Sequence, residues 1–169
     1  MAQDRDIQNV LKSLNKKPSE LDKRLAYLEK AEYSRLNYYA SIMLTIASWV
    51  DTTAGAVIIP GMTEKFLKGF TLSGSALTCV QPGIYYINYS VTIFCGGVLY
   101  ATGAVTVNGV AELGSRSDGT GILGDYFTLC SPTIVSLDVG DVVRLVVDST
   151  PNTLLVATAS LTLTRVDDN

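Results

Sequence analysis

The chain has 169 residues, 13 Lys and Arg against 16 Asp and Glu, and a formal net charge of −3. That balance excludes a protein that clamps nucleic-acid phosphates, which needs a basic surface. The absence of histidine removes Ser-His-Asp and Cys-His catalysis, histidine metal sites and histidine proton shuttles. At 47% hydrophobic and 17% charged residues the chain is not disordered, and its length suits one domain or a domain with an appendage.

Charge is unevenly spread. Residues 1–36 hold 14 charged side chains, residues 37–169 only 15, and Gly69–Ala111 none. A head with so little charge either displays Ser, Thr, Asn and Tyr or hides much of its surface against other subunits; both are expected here. Cys79, Cys95 and Cys130 are odd in number and lack metal-ligand spacing, so they read as small buried hydrophobes rather than a disulfide framework. The first twenty residues are too polar for a secretory leader.

Residues 1–17 carry Ile7, Val10, Leu11 and Leu14 as a short amphipathic set ahead of Pro18. They are candidates for a segment that docks on a larger particle; a frayed extra turn of the following helix is the other reading. Residues 18–51 are expected to form a stalk helix. Pro18 suits its first turn. Leu21, Leu25 and Leu28 fall at spacings of four and three; after a slip of four residues, Leu36, Tyr39, Met43, Ile46 and Val50 continue at three and four. This is a coiled-coil seam with a stutter. The apolar run 36–50 is too short for a comfortable membrane span. A helix of this length needs partners for its stripe, packing back on its own domain being the alternative, and bulky Tyr39 and Trp49 favour a core wider than a dimer's.

Residues 52–65 read as a linker and 66–169 as a β head. From Gly83 to Ile93, Tyr85, Ile87, Tyr89, Val91 and Ile93 alternate with Tyr86, Asn88, Ser90 and Thr92, the period of a half-buried strand. Val105–Val110 runs into Asn108-Gly109, a strong hairpin signal. Val142–Val147 and Ser160–Val166 are further strands, with Gly, Pro, Asn and Asp punctuating between them. Short strands with regular turns mean a sandwich or jelly roll.

Four segments carry a resemblance. Gly83-Ile84-Tyr85-Tyr86-Ile87, Val105-Thr106-Val107-Asn108-Gly109, Leu137 to Leu145 with its Gly140-Asp141, and Ala159-Ser160-Leu161-Thr162-Leu163 come in the order and spacing of complement C1q-type and tumour-necrosis-factor-like jelly rolls. Together they cover about residues 66–166. The resemblance implies a trimeric jelly-roll head preceded by a stalk. No Gly-x-y repeat occurs here; a coiled coil in its place looks like the trimeric fibre proteins of tailed bacteriophages.

The expected fold is therefore mainly β with an N-terminal α-helix, a trimeric coiled coil followed by a C1q/TNF-like jelly roll. The expected function is a structural bacteriophage virion appendage, a head fibre or decoration-type homotrimer assembled in the host cytoplasm. Its N-terminus would sit on a capsid or other virion protein, with no nucleic-acid partner, membrane insertion, cofactor or metal. A receptor-binding adhesin at a tail-fibre tip is the alternative, and a glycan hydrolase, built on a carboxylate pair, a distant one. Recognition of a host-surface glycan or protein is expected in the loop-like stretch 112–125, through Ser115, Arg116, Ser117 and Asp118, loops being where recognition sits on a rigid β scaffold; a solvated connection is the other reading. Asp138 and Asp141 flank a turn glycine and read as turn chemistry, with calcium ligation the lesser possibility.

Overall fold

Along Gly83–Phe94 the residues Tyr85, Ile87, Tyr89, Val91 and Ile93 are fully buried, while Ile84, Tyr86 and Asn88 face outward. The alternation expected of this segment is the pleat of an interior strand of a sheet. In the computed structural model, residues 21–26 and 38–166 are described. The chain divides into two compact units, Met1–Arg35 and Leu36–Asn169. In the first, residues 21–26 are helical.

The second unit is a β-sandwich. Its strands in chain order are β1 (Tyr39–Leu44), β2 (Ser48–Asp51), β3 (Val57–Ile58), β4 (Met62–Lys68), β5 (Phe70–Ser73), β6 (Ala76–Cys79), β7 (Gly83–Phe94), β8 (Leu99–Val107), β9 (Val110–Ala111), β10 (Ser117–Gly121), β11 (Tyr126–Leu137), β12 (Val142–Thr150) and β13 (Thr153–Arg165). The first sheet runs β11-β7-β13-β1-β4, with β2 also on β13; the second runs β10-β8-β12-β6-β5, with β3 on β12 and β9 on β8. All pairs are antiparallel, and neighbours in space are mostly distant in sequence, as in a jelly roll.

Between the sheets lie Ile42, Tyr85, Ile87, Tyr89, Leu129, Leu145, Leu161 and Leu163, all essentially without solvent contact. Buried tyrosines need a partner for the hydroxyl. Tyr85 donates to the Gln81 carbonyl at 2.7 Å, and Tyr89 to the Gly103 carbonyl at 2.8 Å. Gly103 has no side chain for a reason: a Cβ there would sit 3.2 Å from the Tyr89 ring and hydroxyl. Asn108 and Gly109, at φ of 53° and 83°, form the tight hairpin turn from β8 to β9, the backbone that Asn-Gly favours. Cys79 and Cys95 are buried and Cys130 is exposed on β11. Burial, chiefly, pushes the Cys79 thiol up to about 11, so it stays protonated at neutral pH and packs as a small hydrophobe.

The stalk helix expected over 18–51 is corrected over its second part, residues 39–51. Residues 39–44 form β1, held between β13 and β4, and 48–51 form β2. Ala40, Ile42 and Leu44 point into the core. Four expected seam residues thus belong to the sandwich: Tyr39 and Met43 on the outer face of the first sheet, Ile46 in the β1–β2 connection, and Val50 in the core. Helical spacing and alternation coexist in this run, and pairing on both edges decides for strand. Leu21 and Leu25 lie on the helical stretch and are exposed; Leu28, Leu36 and the anchor candidates Ile7, Val10, Leu11 and Leu14 lie outside the described residues. The expected linker 52–65 carries β3 and the start of β4, so the head begins by Tyr39 rather than at residue 66. Among the described residues, no helix is long and apolar enough to cross a membrane.

Candidate functional site

The stretch 112–125 is not one loop. Leu113–Ser115 makes a short 3-10 turn and Ser117–Gly121 is β10, the edge strand paired with β8. This places the four recognition candidates in different environments. Ser115 is 0% exposed. Its hydroxyl accepts from the Val105 N–H at 2.8 Å and donates to the Glu112 carbonyl at 2.7 Å, so it ties the turn to β8 and cannot touch a receptor. Ser117 is half-buried opposite Gly103. Arg116 and Asp118 are exposed and paired at 3.1 Å.

Asp118 is the hub of a surface network. Its Oδ1 accepts from the Thr102 hydroxyl at 2.6 Å, the Tyr100 hydroxyl at 2.8 Å and the Arg116 guanidinium. The Thr102 hydrogen bond, followed by those from Arg116 and Tyr100, lowers the carboxyl to about 2. The network fixes β10 on β8 and holds Arg116 at the sheet edge.

Next to it, the outer face of the second sheet is hollow. β8 presents Thr102, Ala104 and Thr106 outward, and β12 presents Asp148, Val146 and Arg144 directly opposite them. Because Ala104, Thr106 and Val146 are short, they floor a pocket of about 460 Å³. Ala56 and Ile58, from the segment containing β3, form one wall, and Glu112, Leu113 and Arg116 the other. The Thr106 hydroxyl is buried with no hydrogen-bond partner.

Of the residues around this pocket, sequence reasoning singled out Arg116, with Asp118 beside it, and not Thr106, Arg144 or Asp148. One signal was present: an arginine inside the apolar run Val142–Val147 must face away from the core. That it faces Thr106 follows from the β8–β12 register, which no local pattern reveals.

At the Gly140 turn, Asp141 accepts from Asn108 Nδ2 at 2.7 Å and from the Asp138 N–H at 2.8 Å. These bonds, Asn108 first, lower its pKa. Both carboxylate oxygens serve the turn. Among the described residues, no group of three or more His, Cys, Asp or Glu side chains could hold a metal ion.

The strand order and closed core define a jelly roll of the C1q/TNF type. Three solved structures are similar to it. The globular domain of zebrafish complement 1qA protein matches at a TM-score of 0.59 and 15% identity, covering 78% of this chain and 99% of that one. The Eiger TNF of S. frugiperda matches at 0.60 and 14%, covering 80% and 96%. Murine APRIL matches at 0.53 and 13%, covering 75% and 98%. No protein-family model matches the chain, and no curated protein matches it in sequence.

Proposed function

We propose that this protein is a homotrimeric structural appendage of a bacteriophage virion, with an N-terminal stalk anchored on the particle and the jelly roll displayed outward. The observation that carries the trimer is the outer face of the first sheet. Across β11, β7, β13 and β1 no outward residue is charged, and Ile84, Tyr86, Tyr126 and Ile134 are exposed there. A wide uncharged face with large apolar side chains marks a protein contact, and a second and third copy of the chain fit it without burying unpaired charge. The resemblance to trimeric jelly rolls supports three as the number of copies.

The path of the chain supports outward display. The Arg165 N–H donates to the Tyr38 carbonyl at 3.0 Å, so the sandwich is entered and left at one end. The Cys95–Val98, Ile122–Asp125 and Pro151-Asn152 connections lie at the other. Exposed Leu21 and Leu25 on the 21–26 helix supply apolar positions for a stalk.

The role is read as non-enzymatic: among the described residues, the carboxylates whose pKa departs from its ordinary value, Asp51, Asp118 and Asp141, are lowered, which does not favour the raised carboxylic acid that a glycosidase uses. The adhesin reading keeps one observation in its favour, the pocket beside Arg116. The test is to delete residues 1–17 and offer the protein to fibre-less particles. The deleted protein is expected to form the trimer and fail to decorate; decoration at wild-type occupancy would overturn the anchor.

A further inference from the structure

Thr106 on β8 and Arg144 on β12 are directly opposed cross-strand neighbours on the outer face of the second sheet. Both line the 460 Å³ pocket, and both lack partners. Thr106 as a residue is 7% exposed, and its hydroxyl is buried with no hydrogen bond. Arg144 is half-buried, and no ion pair or hydrogen bond engages its side chain among the described residues. An unsatisfied buried hydroxyl destabilises a fold, so its persistence beside an unpaired guanidinium needs an explanation. Arg116, in contrast, is already committed to Asp118.

We propose that this pocket binds the terminal sugar acid of a glycan, its carboxylate on Arg144 and Thr106. A planar guanidinium matches a carboxylate with two parallel N–H donors, and the Thr106 hydroxyl adds a third donor at the same place. One step along the strands, Ala104 and Val146 offer a small apolar floor for the C–H face of a pyranose. A further step along, Asp148 provides an acceptor for ring hydroxyls, and Glu112 provides another from the side wall. From Arg144 to Asp148 the strand covers roughly 13 Å, room for one ring with a hydrogen bond at each end. Cation, apolar floor and acceptors in that order select a hydroxylated acid over a neutral sugar or a plain fatty acid. The pocket is open on its outer side, so the anomeric carbon can carry the rest of a glycan. The site lies on the sheet opposite the proposed subunit contact and does not depend on it.

The test titrates the 169-residue chain with methyl β-D-glucuronide, and with methyl β-D-glucoside as its neutral counterpart, by calorimetry and ligand-observed NMR. Binding of the glucuronide in the millimolar range is expected, with none of the glucoside. Arg144→Gln is expected to weaken it about tenfold or more. Ala104→Leu, which fills the floor without touching a charged group, is expected to abolish it, and Thr106→Val to weaken it while raising the melting temperature. Circular dichroism and melting curves establish that each variant folds. Equal binding of the two glycosides, absence of glucuronide binding at tens of millimolar, or affinity unchanged in the folded variants would overturn the proposal.

Discussion

The Tyr89 hydroxyl donates to the Ser115 carbonyl at 2.9 Å. This bond ties β7, an interior strand of the first sheet, to the turn that carries Arg116 on the second. The same proton is shared with the Gly103 carbonyl at 2.8 Å, and burial, chiefly, pushes the phenol up to about 12. The edge of the candidate pocket is therefore set by the core rather than by the surface.

Ser115→Ala is expected to cost about 1–3 kcal/mol, because the Val105 N–H loses its side-chain acceptor in a buried place. Chemical denaturation measures this. Stability equal to wild type would mean that the serine does not hold the turn.

Asp118 sets an acid limit. In the unfolded chain it protonates near its ordinary value of 3.8, in the folded protein only at about 2. Its stabilising bonds are therefore fully present above pH 4 and are lost as pH falls from about 4 to about 2. Asp118→Asn is expected to be less stable than wild type at pH 7, with the gap closing across that window. Melting curves at several pH values check it; a gap that does not change with pH would remove the carboxylate from the account.

The contrast between Ile42 and Ile46 tests the strand in place of the helix. Ile42 is 0% exposed in β1 and Ile46 is 77% exposed. Ile42→Ala is expected to cost about 2–5 kcal/mol, whereas Ile46→Ala stays within about 0.5 kcal/mol. In a coiled coil with Ile46 at the seam the order would reverse.

The run 38–51 also shows where local pattern stops informing. Tyr39, Met43, Ile46 and Val50 satisfy a helical stripe, while Ala40, Ile42 and Leu44 satisfy a strand. Both periods fit a short apolar run, and the choice is made by β13, more than 100 residues away. β7 was legible because its alternation is long and its buried members are large. The Asn108-Gly109 turn was legible because its backbone demands those residues. In the candidate site, Arg116 and Asp118 were visible as neighbours in sequence. The Thr106–Arg144 pair was not, since 37 positions and a jelly-roll crossover separate them.

Tyr86 and Ile134 pair across β7 and β11 on the uncharged face. Tyr86→Lys with Ile134→Asp is expected to dissociate the head contact while leaving the core intact, since both side chains point away from it. Unchanged assembly of the isolated 36–169 head carrying both substitutions, once its folding is confirmed by circular dichroism, would take the contact off this face.

The most direct measurement is the molar mass of the 169-residue chain at micromolar concentration by sedimentation equilibrium. Three times the 18.1 kDa chain is the predicted result. A stable species at one or two chain masses would contradict the trimer, and with it the stalked appendage.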